Sequence, residues 1–449
     1  MTKPGRYTKE GLIRSNNLAS KPGKAVKLPD KLENEQEKEK WLQQMHDPSQ
    51  TKIIDLFCGA GGMSEGFVNQ GLVVAAALDY NKDACKTFAA NIPAKVLCAD
   101  ISKIDDPGSI LEEFPDVSID VIVGGPPCQG FSIVGQARIR SLDKMIQQEH
   151  LARNELYQQY FRFIEKFCPF FFVMENVPAM LSFGEGAYIK AIQQECDRLG
   201  YFCDIQSIDA SEYGVPQVRR RVIVVGSRAG KLFRWPRTIA KEYIVPLKDA
   251  IGDLPAVQPP AYEECLQYSP EKATSVYQKL MRSRVDMEHK KFIYDHVVRA
   301  VREDDKEIFS QMKPGDRYID IDEKYHRYNA KTFIDKYYML KPDIPGVTIT
   351  AHMAKDGYRY IHWDNQQHRT LSVREAARIQ SFGDHFRFTG SRSSRFRQIG
   401  NAVPPLLAEV IANQINFALQ RVRNRVFDET IQWGLPGYEQ WSTLIEGTK

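Results

Sequence analysis

The stretch Val121-Ile122-Val123-Gly124-Gly125-Pro126-Pro127-Cys128-Gln129-Gly130-Phe131-Ser132 most constrains what this chain can fold into. Three β-branched residues in a row read as a buried strand. Paired glycines and prolines then stop it, because proline has no N–H to donate and glycine tolerates strained backbone. Cys128 therefore stands on a rigid turn at the C-terminal end of a strand, where open α/β sheets place their ligands. A lone cysteine is ordinarily a small structural hydrophobe. Held between Pro-Pro and Gln-Gly-Phe-Ser on a strand-ending loop, it reads instead as a working thiol.

The 449 residues have room for one large domain and a smaller one. No run of eighteen apolar residues occurs and no apolar segment follows the start, so neither a membrane span nor a signal peptide is indicated. Eight cysteines lie scattered with no C-x-x-C pair and no His/Cys ligand spacing. That pattern points to reduced thiols in a cytoplasmic protein, with no disulfide frame and no metal site. A net charge of +4 permits nucleic-acid binding without demanding it.

Residues 1–50 are polar and rich in Lys and Glu; the Glu33–Lys40 run reads as a solvated helix or a loose tail, with a basic arm on DNA as the sharper alternative. Order begins at Lys52-Ile53-Ile54-Asp55-Leu56-Phe57, followed by Cys58-Gly59-Ala60-Gly61-Gly62-Met63-Ser64-Glu65-Gly66. Such a loop lets backbone approach a ligand and leads into a helix N-terminus. As a dinucleotide fingerprint it fails at Ser64. Gly62-Met63-Ser64-Glu65-Gly66 fits a hydrolase elbow, but Ser64 lies seven residues past the strand.

The next strands favour a nucleoside pocket. Val73–Leu78 ends in Asp79-Tyr80, an acid for ribose hydroxyls beside a ring for adenine; Lys95–Ala99 ends in Asp100-Ile101. Residues 133–153 carry Arg138, Arg140 and Arg153 without apolar period, a candidate basic loop. A helix with Tyr157, Tyr160, Phe161, Ile164 and Phe167 on one face is core. The strand after it delivers Glu175-Asn176-Val177, a carboxyl at a buried strand end and so a candidate proton donor. Gln217, Arg219 and Arg221 share one face of a strand entry, with Arg220 on the other.

From about 256 to 369 prolines, tyrosines and histidines dominate, and residues 279–302 hold seven Lys/Arg against three Asp/Glu. This reads as a separate, loop-rich domain with a basic face. Regular texture returns with a helix capped by Ser372 and Glu375; then the block from Gln398 to Pro405 opens a long amphipathic helix to about Arg423, proline being tolerated in its first turn.

Taken together these blocks resemble the DNA (cytosine-5) methyltransferases over roughly residues 51–255 and 340–425. Asp-Leu-Phe-Cys-Gly-Ala-Gly-Gly at 55–62 is similar to the family's S-adenosylmethionine loop, and Gly-Gly-Pro-Pro-Cys-Gln-Gly-Phe-Ser to its catalytic loop. Glu175-Asn176-Val177, the Gln-x-Arg-x-Arg of 217–221, the Arg-Glu-x-Ala-Arg-x-Gln-Ser-Phe block ending at Phe382, and Gln-Ile-Gly-Asn-Ala-Val-Pro-Pro at 398–405 follow in family order. Asp79 stands where the family usually has Glu, and the stretch from Ser132 to Arg153 is longer than usual.

The resemblance implies a Rossmann-like α/β sheet carrying a smaller target recognition domain. The expected division is an extension at 1–50, a catalytic and cofactor-binding part at 51–255, recognition at 256–369, the rest of the catalytic part at 370–426, and a tail at 427–449. It implies Cys128, Glu175, Arg219 and Arg221 as catalytic residues, with Arg219 holding the cysteine loop or a phosphate. Phe57, Gly59, Gly61, Asp79, Tyr80, Asp100, Ile101, Leu156 and Asn401 would surround S-adenosylmethionine. The implied substrate is a cytosine flipped out of double-stranded DNA. The expected protein is a monomer, with a cognate restriction endonuclease at the same site left open. An RNA cytosine-5 methyltransferase, or a non-catalytic binder of DNA or cofactor, are the rival readings. Phosphate contacts are expected mostly within 279–302, and the stretch Thr348–Arg359 reads either as a base reader or as a hairpin supporting the domain.

Overall fold

The computed structural model describes residues 25–127, 156–326 and 337–424. Its chain divides into two compact units. The larger comprises Leu28–Val245, Gln380–Phe382 and the described residues from Asn401 on; the smaller comprises Pro246–Ile379 and Gly383–Gly400, with the described residues up to Lys27.

The large unit is built on a seven-stranded sheet: β1 Lys52–Leu56, β2 Val73–Asp79, β3 Lys95–Cys98, β4 Val121–Gly124, β5 Phe171–Asn176, β6 Phe202–Asp209 and β7 Arg220–Ser227. The order is β3-β2-β1-β4-β5-β7-β6. Strands β1 to β5 run parallel, and β7 lies antiparallel between β5 and β6. The central strands are buried along their whole length, as their largely apolar sequences require of a sheet covered on both faces; β1 carries Lys52 and Asp55 into that interior. Chain order reverses between β1 and β4, which opens a crevice at their C-terminal ends. The register aligns those ends: Leu78 and Gly124 both pair with Leu56, and Met174 pairs with Gly124. Asp79, Phe57, Gly125 and Glu175 thus follow one another along a single edge.

Helix Leu156–Phe167 buries Tyr160, Phe161, Phe163 and Ile164, and the Tyr160 hydroxyl lies 2.9 Å from the carbonyls of Ile122 and Val173. In the described part of the polar extension, most of the Glu33–Lys40 run lies in a helix, one face of which is buried. Asn34 caps this helix, Glu35–His46, whose Trp41 and Met45, one turn apart, are buried in the core. The Trp41 indole donates to the Val74 carbonyl at 2.9 Å. The register slips there, Ile53 facing Val74 and Ile54 facing Ala76. The long apolar stretch Arg392–Arg423 is mostly buried inside the protein. It consists of two helices, Arg392–Asn401 and Pro405–Arg423, broken at Val403-Pro404.

The small unit has a two-stranded sheet, β8 Cys265–Gln267 against β9 Phe292–Tyr294, and a cluster around Phe309, Tyr318, Tyr337 and Met339. Its boundaries differ from the expected 256–369. Residues 246–255, 370–379 and 383–400 belong to it as well. Buried ion pairs give the reason. Arg369 grips Glu375 through two bonds of 2.7 Å, and Arg374 pairs with Asp295 at 3.1 Å. Arg378 pairs with both Asp253 and Asp384, and Arg395 joins Glu264 to Asp295. Removing one partner of such a pair strands a buried charge, so the segments carrying them are locked into one body. Ser372 and Glu375 form the expected cap: the Glu375 N–H donates to Ser372 Oγ, and the Ser372 N–H to Glu375 Oε2.

Candidate active site

The glycine loop leaves β1 with Phe57, Gly59 and Gly61 all at positive φ. Its glycines serve different ends. No atom stands within 4 Å of where a Cβ on Gly59 would be, so this backbone faces open space. A Cβ on Gly61 would meet Ile92 and Phe88 at 2.9 Å; one on Gly62 would meet the Val403 carbonyl at 2.3 Å, and one on Gly66 the backbone of Pro405 and Glu409 at 2.5 Å. Gly62 and Gly66, one turn apart on helix Gly62–Asn69, therefore let the Pro405–Arg423 helix approach backbone to backbone. Ser64 is no elbow nucleophile: it is fully buried and donates to Asp55 Oδ2 at 2.6 Å. Burial pushes the Asp55 carboxyl up to about 7, against the pull of that hydrogen bond.

Asp79 sits where β2 ends. Its Oδ2 accepts the Gly59 N–H at 2.9 Å and its Oδ1 the Asn81 N–H at 2.7 Å. Burial raises its carboxyl above the usual range while those N–H groups lower it. Tyr80 beside it is 68% exposed. Asp100 is exposed and turns its carboxylate back on the Ser102 N–H and hydroxyl, whereas Ile101 packs into the core. Leu156 is half-buried at the start of its helix, and Asn401 is exposed.

At the other end of the edge, Glu175 Oε1 meets Arg221 Nε at 2.7 Å, and both side chains are nearly closed to solvent. The expected alternation holds: Gln217 and Arg219 are buried, while the Arg220 side chain is 75% exposed. A Cβ on Gly125 would lie 3.1 Å from Glu175 Oε2. Asn176 donates to the Pro126 carbonyl at 3.2 Å. Asn176 thus ties the Gly-Pro-Pro segment that leads into the cysteine loop to the end of β5, and glycine at 125 leaves room for the Glu175 carboxylate. Cys128 itself, and Arg138, Arg140 and Arg153, lie outside the described residues. Arg219, 1% exposed, donates to the Ala402 carbonyl at 2.9 Å, a position closed to a DNA phosphate. No role for Asn176 was read from the sequence, although it stands inside the quoted Glu-Asn-Val; the Asp55–Ser64 pair gave no signal at all.

A family model described as C-5 cytosine-specific DNA methylase matches residues 51–416. The chain belongs to this family. It is 33% identical to the type II methyltransferase M.AgeI of Thalassovita gelatinovora, over 82% of this chain and 100% of that protein. It is 32% identical to M1.HphI of Haemophilus parahaemolyticus, over 81% of this chain and 86% of that protein. A solved E. coli prophage-encoded structure, described as a DNA modification methyltransferase, superposes with a TM-score of 0.64 at 25% identity, covering 83% of this chain and all of the other. This DNA (cytosine-5) methyltransferase uses S-adenosylmethionine, on the sheet the resemblance implied. The match favours DNA over RNA, and an enzyme over a non-catalytic binder. The helix bearing Trp41 lies outside the matched residues.

In the small unit of the methyltransferase, the stretches 279–302 and 348–359 divide into buried and exposed side chains. Within 279–302, Arg282 pairs with Asp384 and stacks on Tyr268, and Arg299 stacks on Phe396; both serve the fold. Lys279, Arg284, Lys291 and Arg302 remain exposed. Between 348 and 359 two short 3-10 turns bury Met353 and Ala354 and expose His352, Lys355 and Arg359.

Proposed function

We propose that the protein methylates C5 of a cytosine flipped out of a specific duplex sequence, through a covalent adduct between Cys128 and C6. The observation that carries this reading is the Glu175–Arg221 pair lying against Gly125, three residues before Cys128. Cytosine C5 is too weak a nucleophile to take a methyl group unaided. Attack of the Cys128 thiolate at C6 forms the S–C bond, while Glu175 protonates or hydrogen-bonds N3 and Arg221 donates to O2. The electron pair then resides in an enamine whose nucleophilic end is C5. When bound, S-adenosylmethionine would supply a sulfonium methyl group, which C5 takes with its electron pair as the methyl–sulfur bond breaks and its pair stays on the neutral thioether. Loss of the C5 proton restores the ring and expels Cys128. Because C6 is out of reach inside a duplex, the base leaves the stack.

The residues fit the cofactor. Gly59 offers open backbone, Asp79 keeps carboxylate lone pairs for ribose hydroxyls, and Tyr80 presents a ring for adenine. Phe57, Gly61, Asp100, Leu156 and Asn401 complete the pocket; Ile101 would contribute through its backbone. The small unit reads the target, with His352, Lys355 and Arg359 as base readers and the exposed cations of 279–302 on phosphates. Names of relatives as type II methyltransferases support a companion restriction endonuclease. Bisulfite sequencing of DNA from a host expressing the protein tests the reading: conversion-resistant cytosines should occur in one sequence context and vanish with Cys128→Ser. Full modification by that variant, or none by the wild type, would overturn it.

A further inference from the structure

The turn joining Asn401 to the Pro405–Arg423 helix is held more firmly than its lack of regular structure suggests. The Ala402 carbonyl accepts from two buried donors, Arg219 Nη2 at 2.9 Å and Gln380 Nε2. Gln380 is oriented in turn, since its Oε1 accepts from Gln217 Nε2. Gln217 and Gln380 are both fully buried. Two further contacts fix the same turn. The Leu406 N–H donates to Ser381 Oγ at 3.1 Å, and Gly62 admits the Val403 carbonyl where a Cβ would stand 2.3 Å away. Ser381 adopts a positive φ of 66, which side chains rarely take.

Burying two primary amides and a guanidinium is unfavourable unless each finds its partners. Once satisfied, such a network specifies one geometry, because any shift leaves a polar group unpaired in a dry interior. Its common acceptor is the carbonyl next to Asn401, the exposed residue of the turn. We propose that Gln380, supported by Gln217, is a positioning residue for S-adenosylmethionine, acting through the Ala402 carbonyl to set Asn401 at the cofactor. This inference rests on the reading of Asn401 as a cofactor contact. It also gives Arg219 its place, as the second donor to the same carbonyl.

The test uses calorimetric titration of S-adenosylmethionine into the full chain. Gln380→Met keeps the volume and removes both hydrogen bonds. Its cofactor dissociation constant should rise about fivefold to tenfold, the equivalent of one or two net hydrogen bonds, with KM for DNA little changed and the thermal unfolding midpoint lowered by the loss of a buried member of the network. Asn401→Ala should weaken cofactor to a similar degree, and the double variant no further than Asn401→Ala alone. If Asn401→Ala weakens binding and Gln380→Met does not, the positioning role is wrong while the reading of Asn401 stands. If Asn401→Ala has no effect, that reading falls and the inference with it. A rise in KM for DNA matching the loss of cofactor affinity would also overturn it, as the sign of general disruption. Should Gln380→Met not fold, Gln217→Met carries the test: a dissociation constant raised about threefold supports the relay, and an unchanged one overturns it.

Discussion

Arg221 Nε and Glu175 Oε1 meet at 2.7 Å across the β5–β7 ladder, with side chains only 13% and 12% exposed. On the proposed mechanism, in which Arg221 donates to O2 of the base and Glu175 serves N3, the two are mutually oriented before any base arrives and need no ordering during reaction. Arg221→Ala removes one recognition bond and leaves Glu175 unsupported. Its kcat/KM for methyl transfer should fall about 100- to 1000-fold, roughly 3–4 kcal/mol. Glu175→Gln should lose a comparable amount, and the double variant much less than the sum, because both act on one base. Additive losses in a radiolabelled methyl-transfer assay would contradict the shared role.

The glycines of the cofactor loop should separate by variant. Gly66→Ala drives a Cβ into the backbone of Pro405 and Glu409 and should cost about 3 kcal/mol of stability, read as a lowered thermal midpoint. Gly59→Ala meets nothing within 4 Å and adds only the strain of its positive φ, roughly 1–2 kcal/mol. It should instead lose S-adenosylmethionine affinity. The reverse pattern would reject this division of labour.

That division shows what the sequence could and could not reveal. Asp79 and Glu175 were legible because an apolar run ending in an acid is a local signal. The partners of Gly62 and Gly66 lie more than 330 residues further on, so no local pattern marks those glycines as helix contacts. The limits of the small unit were missed for the same reason. Arg374, Arg378 and Arg395 look like the solvated face of a helix until Asp295, Asp253, Asp384 and Glu264 are brought against them. Trp41 and Met45 were hidden among eight charged or amide-bearing neighbours in Glu35–Gln44. The cysteine loop remains a reading of the sequence, beyond the described residues.

Asp79→Ala should weaken S-adenosylmethionine by about 1–3 kcal/mol, the range for losing hydrogen bonds to a charged group. It also frees the Gly59 N–H, so the loss should exceed that of Asp79→Asn, which can still accept it. Calorimetry showing unchanged affinity for Asp79→Ala would reject it as the ribose ligand.

The small unit should be acid-labile in a definite window. Burial pushes His296 and His362 down to about 4, so both stay neutral in the fold, whereas the unfolded chain protonates them near 6.5. The unfolded state therefore binds more protons between these values, and stability present above about pH 6.5 is lost as pH falls toward 4. Asp384, held down to about 2 by Arg378, yields only at lower pH. Hydrogen exchange of small-unit amides, corrected for intrinsic rates, should show protection falling across pH 6.5 to 4.5, and less steeply in His362→Gln. Flat protection through that range would contradict the buried neutral histidines.

The covalent step is tested most directly by duplex DNA carrying 5-fluorocytosine at the target position. Fluorine cannot leave as the C5 proton does, so the adduct between Cys128 and C6 should persist after methyl transfer. Wild-type protein incubated with this DNA and S-adenosylmethionine should give a species on a denaturing gel at the combined mass of protein and DNA, and Cys128→Ser should give none. A wild type that methylates the unfluorinated duplex yet leaves no crosslinked species on the fluorinated one would contradict the account.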